Sequence, residues 1–195
     1  ELMAAKQLDS YFSQILYRPF DVRSIYYHPS VVWRTRSQVM RHMLAGENLA
    51  LITSRLTKGE TYQHTLVSKT ISEVILLSPT TSNNAFVFPL YLYPAEGEMQ
   101  FEEGRRPNLN PEFIKAFSEK LGLKFIKDGR GDLEETFGPE DIFNYAYAVF
   151  HSPTYRSRYA EFLKIDFPRL PLTSDKKLFK ALVARGAELV SLHLM

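Results

Sequence analysis

The sequence predicts an α+β fold in which a mixed lobe, residues 1–104, is followed by a helical lobe, residues 105–195. Between Leu16 and Pro94, short apolar runs alternate with polar residues and are separated by turn residues, as in strands. After Gly104 the apolar residues recur with the 3.6-residue period of helices. The first lobe is expected to hold a small, mostly antiparallel sheet, and both lobes together would form one domain.

The strands of the first lobe are predicted from five runs. In the first run, Phe20, Val22 and Tyr26 alternate with polar residues and would share one face. The runs, in chain order, are PFDVRSIYY, NLALITSRL, HTLVS, SEVILLS and NAFVFPLYLYP. Pro89 lies inside the last run, and because proline cannot donate to a strand ladder, it predicts an edge strand or a bulge there.

A short helix is predicted between the first two runs, over SQVMRHMLAG. Ser37 would cap its N-terminus and Gly46 would end it. Its buried side would be formed by four apolar residues, Val39, Met40, Met43 and Leu44. The first lobe is therefore expected to be mixed α and β.

Capping residues mark the helices of the second lobe. The run NPEFIKAFSEKLG has Asn110 as N-cap, Pro111 as its first residue and Gly122 just past its end. The stretch from Ser174 to Met195 repeats apolar residues at helical spacing behind a Ser-Asp cap. We expect this last helix to pack on the lobe before it.

The stretch EDIFNYAYAVFHSPTYRSRYAEF, residues 140–162, combines seven aromatic residues with Arg156 and Arg158. The aromatic residues recur at helical spacing among Val and Ala, and Ser152-Pro153 would end one helix and begin the next. Base-stacking platforms usually place aromatic residues on sheets or in open grooves beside basic residues. A buried core is therefore favoured, while a phosphate contact from either arginine stays open.

The composition excludes several classes of protein. The chain has no cysteine, which rules out disulfides and thiolate zinc sites and is compatible with a reducing, intracellular setting. No apolar run approaches the ~20 residues of a membrane helix, so we expect a soluble domain. The chain begins at Glu1 and enters a structured pattern almost at once, which indicates a piece of a longer polypeptide.

Basic residues are concentrated in one part of the chain. From Arg23 to Lys69 there are seven basic residues and two acidic ones, a formal charge of +5, while the whole chain carries +2. Short polar side chains that can contact phosphates and base edges lie among them. The segments RTRS and TSRLTKGETYQH fall in predicted loops and strand ends, where recognition residues tend to lie. A solvated charged face is the alternative explanation.

Catalytic motifs are not recognisable in the sequence. The five histidines show no metal-ligand spacing, and no carboxylate pair stands beside them. We find no phosphate-binding glycine loop, no nucleophile elbow and no cluster of carboxylates and lysine of the nuclease kind. A triad that forms only in space stays open, but the sequence gives no support for an enzyme, a metal site or a cofactor in this chain.

Several long stretches are distinctive when taken together. They are YRPFDVRSIYYHP, RSQVMRHMLAGENLALITSR, FVFPLYLYP, EDIFNYAYAVFHSPTYRSRYAEFLKIDFPRLPL and LVSLHLM. In this order they resemble the C-terminal target-recognition region of type ISP and related single-polypeptide restriction-modification enzymes. The resemblance spans nearly the whole chain.

Enzymes of that family join a nuclease, a helicase-like ATPase, an adenine-N6 methyltransferase and a target-recognition domain. The resemblance implies a cytoplasmic, prokaryotic protein that binds a specific double-stranded DNA sequence and positions a target adenine for a methyltransferase domain outside this chain. Its partners would be DNA and the methyltransferase, helicase and nuclease domains of the same polypeptide, with no membrane.

The methyltransferase motifs of the family do not occur in this chain. A glycine-containing cofactor loop and an Asn-Pro-Pro-Tyr/Phe motif are missing, and the nearest segment, RPNLNP, is a helix cap. The chain is therefore not expected to bind S-adenosylmethionine. The parent enzyme would use S-adenosylmethionine, together with Mg²⁺ and ATP if it is a type ISP enzyme.

The residues that read bases vary among such enzymes, so the resemblance does not identify them. The candidate DNA contacts are therefore chosen by side-chain chemistry. Arg34, Arg36 and Arg41 are expected to clamp the DNA backbone. The base-reading side is expected to comprise Ser54, Arg55, Lys58, Gln63, His64 and Lys69. Arginine can pair bidentately with guanine, and Arg55, which follows the apolar run NLALIT, is the leading candidate. A solvated or salt-bridged surface position is the open alternative for each residue.

A second hypothesis gives the chain a different role. The apolar helical lobe would hold the methyltransferase and helicase domains together, and DNA contacts would be incidental. Exposed aromatic side chains among Tyr145, Tyr147, Tyr155 and Tyr159 would favour this docking role.

Overall fold

The computed structural model describes residues 8–59, 61–77, 83–95, 97 and 104–194. The first half contains β1 (Phe12–Arg18), β2 (Asp21–Tyr26), α1 (Ser37–Leu44), β3 (Ala50–Thr53), β4 (Thr65–Ser68), β5 (Ile71–Ser72), β6 (Phe86–Pro89) and β7 (Tyr91–Leu92). The second half contains β8 (Arg106–Pro107), α2 (Pro111–Leu121), β9 (Lys124–Phe125), β10 (Thr136–Phe137), α3 (Pro139–His151), α4 (Pro153–Arg158), α5 (Ala160–Leu163) and α6 (Lys176–Leu194). The predicted α+β class is confirmed.

Two three-stranded sheets form most of the first half. Strand β1 pairs antiparallel with β2 and parallel with β5, and β3 pairs antiparallel with β4 and β6. Most pairings are antiparallel, as predicted. Strand β6 lies at the edge of its sheet, which confirms the prediction from Pro89. The run SEVILLS is not a strand along its length, because residues 74–77 form a turn after β5.

Helix α1 differs from its prediction in two details. Ser37 is its first residue, and the N-cap is Arg36, which has a left-handed backbone with φ of 53°. Leu44 is 47% exposed, although the pattern placed it on the buried side. Met40 and Met43 are buried and pack with Ala50 and Ile71, so only part of the predicted apolar face reaches the core.

The predicted ends of α2 and the predicted N-terminal cap of α6 are confirmed by their capping contacts. Asn110 caps α2 by accepting a hydrogen bond from the Glu112 amide at 2.8 Å, and Gly122 follows the helix with φ of 61°. Helix α6 begins behind Asp175, whose carboxylate accepts hydrogen bonds from the amides of Lys177 and Leu178 at 2.9 and 3.0 Å. These contacts satisfy backbone donors that a helix N-terminus leaves unpaired.

The aromatic stretch forms the centre of the helical half. Its buried members are Phe143, Tyr145, Tyr147, Phe150 and Tyr155. Arg156 is turned inward, where its Nε donates to the Phe150 carbonyl at 2.7 Å and its Nη2 lies 3.1 Å from His151 Nδ1. The core interpretation of residues 140–162 is therefore confirmed.

Helices α3 and α6 approach each other closely at one glycine. A Cβ added to Gly186 would lie 1.8 Å from the carbonyl oxygen of Asn144, so a side chain has no room at this crossing. A second buried cluster joins α3 and α6 to the first half through Val67 and Tyr91, which pack with Tyr147. The helices thus support β4 directly, and the division into lobes at residue 104 stays a prediction.

Among the residues that the structure describes, no helix is both long enough and apolar enough to cross a bilayer.

Candidate nucleic-acid interface

The loop between β3 and β4, residues 54–64, is anchored to the helical half. Thr57 is buried, and its amide donates to the Lys164 carbonyl at 3.1 Å while its hydroxyl donates to the Leu163 carbonyl at 2.9 Å. These carbonyls belong to the end of α5 and the residue after it. The middle of the loop is therefore held in place by the core that packs behind it.

The two strands that carry this loop are joined at its base by Tyr62. Its hydroxyl lies 2.7 Å from Thr53 Oγ1 and 2.8 Å from Thr65 Oγ1, and all three residues are buried. Burial raises the pKa of Tyr62. The neutral phenol thus bridges the last residue of β3 and the first residue of β4.

Arg55 projects from the end of β3 into the loop, as the sequence predicted. Its side chain is 60% exposed, and its Nε lies 3.5 Å from Asp166 Oδ1. Asp166 also faces Arg169, at 3.6 Å. Exposed ion pairs contribute only about 0–1 kcal/mol, so Arg55 can exchange this carboxylate for another acceptor at small cost.

Two other predicted residues of the base-reading side lie inside the loop. Ser54 is 1% exposed and its hydroxyl donates to the Leu56 carbonyl at 2.5 Å. His64 is 4% exposed, and its Nε2 lies 3.5 Å from Nδ2 of Asn83. In this conformation both side chains shape the loop, and their predicted contacts with bases remain a prediction.

Asn83 is a structural residue that the sequence did not reveal. It is 2% exposed, and besides facing His64 it accepts a hydrogen bond from the Lys58 amide at 3.2 Å. It therefore ties together both sides of the loop. A single asparagine in the run SNN carries no pattern that distinguishes it from a turn residue.

Gln63 and Lys58 are exposed on the loop, and Gln63 also lines a cleft. The cleft has a volume of about 590 Å³ and lies between the β1–β2 turn and β4. Its walls are formed by Pro19, Phe20, Thr61, Gln63, His64, Leu66 and Leu77. Two of the predicted residues, Gln63 and His64, thus line a cleft that also has an aromatic wall, Phe20.

Lys69 is not brought to this group. The register of the β3–β4 ladder places Thr53 opposite Thr65 and Ala50 opposite Ser68. Lys69 follows Ser68 and therefore lies at the other end of β4, roughly 13 Å along the strand from the loop. Sequence proximity to His64 suggested one cluster, but the extended strand between them separates the two residues.

The three arginines predicted to clamp the DNA backbone lie at α1. Arg34 and Arg36 are exposed and have left-handed backbones with φ of 60° and 53°. Arg41 is half-buried, and its Nη1 donates to the Tyr93 carbonyl at 3.2 Å. Within the described part of the chain, Arg34 and Arg36 form no ion pair with a carboxylate. They are thus the more available of the three.

The segment before α1 is held in an unusual conformation. Each non-glycine residue with a left-handed backbone costs about 1–3 kcal/mol, and such residues concentrate at functional sites. The Tyr27 hydroxyl donates to the Thr35 carbonyl between the two strained arginines. Residues 22–46 contain four arginines and no Asp or Glu, so this segment is positively charged. This segment is preorganised and attractive to anions.

The candidates therefore form two groups: the α1 group, comprising Arg34, Arg36 and Arg41, and the loop group, comprising Ser54, Arg55, Lys58, Gln63 and His64. Lys69 belongs to neither. Among the described residues no cluster of three His, Cys, Asp or Glu side chains could hold a metal ion.

Comparison with known proteins gives one family. The family model described as the Type ISP C-terminal specificity domain matches residues 3–195. A search among curated proteins gives no match.

Solved structures of longer polypeptides share the fold, among them the following three. The DrdV–DNA complex determined by cryoEM aligns with a TM-score of 0.72 and 27% identity over 95% of this chain and 16% of that one. The Type ISP enzyme LlaBIII bound to DNA aligns with a TM-score of 0.70 and 24% identity over 94% of this chain and 11% of that one. A nuclease-deletion mutant of the Type ISP enzyme LlaGI, in complex with a DNA substrate mimic, aligns with a TM-score of 0.64 and 24% identity over 95% of this chain and 14% of that one. This chain thus spans less than a fifth of these longer polypeptides.

Proposed function

The chain belongs to the Type ISP C-terminal specificity domain family, and from that premise we propose that it recognises a specific sequence of double-stranded DNA for a restriction-modification enzyme. A specificity domain is a recognition module rather than a catalytic one. The DrdV, LlaBIII and LlaGI structures were determined with DNA or a DNA mimic, which supports DNA as the partner of this chain.

One observation of the structure carries the proposal. The segment of residues 22–46 has no carboxylate, and it presents Arg34 and Arg36 to solvent without ion-pair partners among the described residues. Cations that are left unpaired on a rigid, strained segment are suited to phosphate oxygens. We propose that the α1 group contacts the DNA backbone, with Arg41 contributing less because it also bonds the Tyr93 carbonyl.

The loop group supplies the base contacts in this proposal. Arg55 extends from a rigid strand end, and its guanidinium has the fork geometry that pairs with guanine O6 and N7. Gln63 and Lys58 are exposed on the same loop. The buried contacts of Thr57 and Asn83 fix the loop, so that these side chains start from a defined position.

The bound DNA would present its target adenine to an N6-adenine methyltransferase domain outside this chain. That domain, with the helicase and nuclease domains of the same polypeptide, would supply the catalysis and would use S-adenosylmethionine, Mg²⁺ and ATP. This chain would contribute the recognition of the site. The cytoplasm of a prokaryote is the corresponding location.

The docking hypothesis receives less support. Tyr145, Tyr147 and Tyr155, on which it depended, are buried in the core, and Tyr159 is 40% exposed. Of the four tyrosines named for a docking role, only Tyr159 therefore offers an exposed ring.

Selection of bound sequences from a random duplex pool tests the proposal. We expect one short motif to be enriched by the chain, and we expect the enriched duplex to bind more tightly than the unselected pool. Arg185→Ala is the control variant and should enrich the same motif, because Arg185 is an exposed cation on α6, outside both candidate groups, and pairs with Glu188 at 2.9 Å. Retention of the pool without enrichment of any motif would contradict sequence-specific recognition.

A further inference from the structure

Trp33 is the most exposed large apolar side chain of the described residues, at 82%. It is also the only tryptophan in the chain. A tryptophan is highly buried on average, so a ring that is almost fully exposed is unusual. In the sequence, only its position beside Arg34 marks Trp33.

The indole of Trp33 is held in a defined environment. The guanidinium carbon of Arg34 lies 4.2 Å from the centre of the Trp33 ring, in a cation–π contact. The strained backbone at Arg34 and Arg36 and the bond from Tyr27 to Thr35 fix the chain on the C-terminal side of Trp33. On the other side, the amides of Val31 and Val32 donate to the His28 carbonyl at 2.9 Å. The backbone on both sides of the exposed ring is therefore held in place.

The positive charge of the segment around Trp33 favours one class of partner over another. An apolar protein partner would have to desolvate the nearby arginines, whose segment contains no carboxylate to pair with them. A nucleic acid offers phosphates for the arginines and base faces for the ring. DNA-binding proteins use apolar side chains as wedges at deformed base steps, with arginines on the adjacent backbone.

We propose that Trp33 contacts base faces at a deformed step of the bound duplex, while Arg34 and Arg36 hold the flanking phosphates. This inference rests on the proposed function and adds a contact of a different kind, because an indole binds bases by stacking and carries no charge. Its contribution to affinity is therefore independent of salt, whereas that of the arginines is not.

The test measures affinity and salt dependence in the 195-residue chain and its variants by fluorescence anisotropy. Trp33→Ala is expected to lower the affinity for the selected duplex about five- to a hundredfold, with an unchanged salt slope. Trp33→Phe, which keeps an aromatic ring, is expected to restore most of the affinity. Leu192→Ala is the control, since Leu192 is an exposed apolar residue on α6, 69% accessible, and we expect no effect there.

Intrinsic fluorescence gives a second readout, because all tryptophan emission comes from Trp33. We expect DNA to quench this emission with the same midpoint as the anisotropy curve. Duplexes carrying 2-aminopurine at successive positions should show increased emission at one step only, and that increase should be lost in Trp33→Ala.

The outcomes separate this inference from the proposed function. Salt-dependent DNA binding with unchanged tryptophan emission and full affinity of Trp33→Ala would overturn the base contact and leave DNA recognition in place. A loss of affinity in Trp33→Ala that is accompanied by a smaller salt slope would also overturn it, because Trp33 would then act only by positioning Arg34. If the wild-type chain binds no DNA, the proposed function itself is wrong.

Discussion

Two regions of the chain combine arginine with aromatic residues, and the fold uses them in opposite ways. In residues 140–162, Arg156 points inward to the Phe150 carbonyl, among buried rings. In residues 27–41, Trp33 and Arg34 stack on each other at the surface. Both regions contain arginine and aromatic residues, but only in the first do the aromatic residues recur at helical spacing, and this period identifies the core.

The largest expected effect comes from removing rings of the buried region. Phe143 and Phe150 are 5% and 4% exposed, and their replacement by Ala is expected to reduce the free energy of unfolding by about 3–5 kcal/mol each. Trp33→Ala is the matched control and should leave this free energy nearly unchanged. Urea denaturation of the three variants measures it. Equal stabilities would place the aromatic stretch at the surface and remove the contrast.

The helix crossing provides a second test of the buried region. In Gly186→Ala the new methyl group would meet the carbonyl of Asn144, so α3 and α6 must move apart. We expect a net loss of about 2–3 kcal/mol in the free energy of unfolding, despite the higher helix propensity of Ala. Ser191→Ala, on the exposed side of the same helix, is the control. A Gly186→Ala variant more stable than the wild type would show that the crossing is looser than described.

Replacement of Arg55 tests whether the exposed loop between β3 and β4 reads bases. Arg55→Ala is expected to weaken binding to the selected site by about 1–3 kcal/mol and to relax the preference at one base pair. Arg169→Ala, which removes the other cation facing Asp166, should leave the base preference intact. Competition with single-base variants of the site measures both. An equal loss for every variant would make Arg55 a phosphate contact and place base reading elsewhere.

The pH dependence of stability tests the interior around Arg156. Burial lowers the pKa of His151 to about 4, with smaller effects of Arg156 and His193, and the His151 Nδ1 faces the Arg156 donor as an acceptor. The unfolded chain has the higher pKa, about 6.5, so it takes up a proton first as the pH falls. Stability is therefore lost as the pH falls from 6.5 toward 4. Between pH 6.5 and 5 we expect a loss of roughly 1–2 kcal/mol from this group.

His151→Gln checks the origin of that loss. Glutamine can accept the hydrogen bond from Arg156 but does not titrate in this range. The variant should show a smaller decrease in unfolding free energy between pH 6.5 and 5, measured by denaturation at each pH. An unchanged decrease would assign the effect to other groups, of which His193 is the nearest: burial lowers its pKa too, and its ring centre lies 5.3 Å from that of His151.

Most of the fold could be predicted from local signals. The caps at Asn110 and Gly122 and the edge position of Pro89 follow from the chemistry of single residues, and the structure has them all. The predictions were wrong where contacts with residues distant in the sequence determine burial or backbone conformation. Leu44 has the right spacing for the core but is the exposed last residue of α1, and the apolar run at residues 74–77 is a turn.

The candidate site was less accessible to sequence reasoning. The positions of Arg34, Arg36 and Arg55 on exposed segments followed from turn and strand signals. The burial of Ser54 and His64 did not, because it depends on Leu56 and Asn83 and on a loop conformation that no local pattern encodes. The separation of Lys69 required the register of β3 with β4.

The dependence of DNA affinity on salt tests the central claim most directly. The claim is that the exposed arginines of the α1 group neutralise phosphates, whereas the buried aromatic region takes no part. The logarithm of the association constant should fall linearly with the logarithm of salt concentration, and Arg34→Ala and Arg36→Ala should each reduce the slope by about one. Arg185→Ala should leave it unchanged. Binding without salt dependence, or the same slope in all variants, would contradict the account.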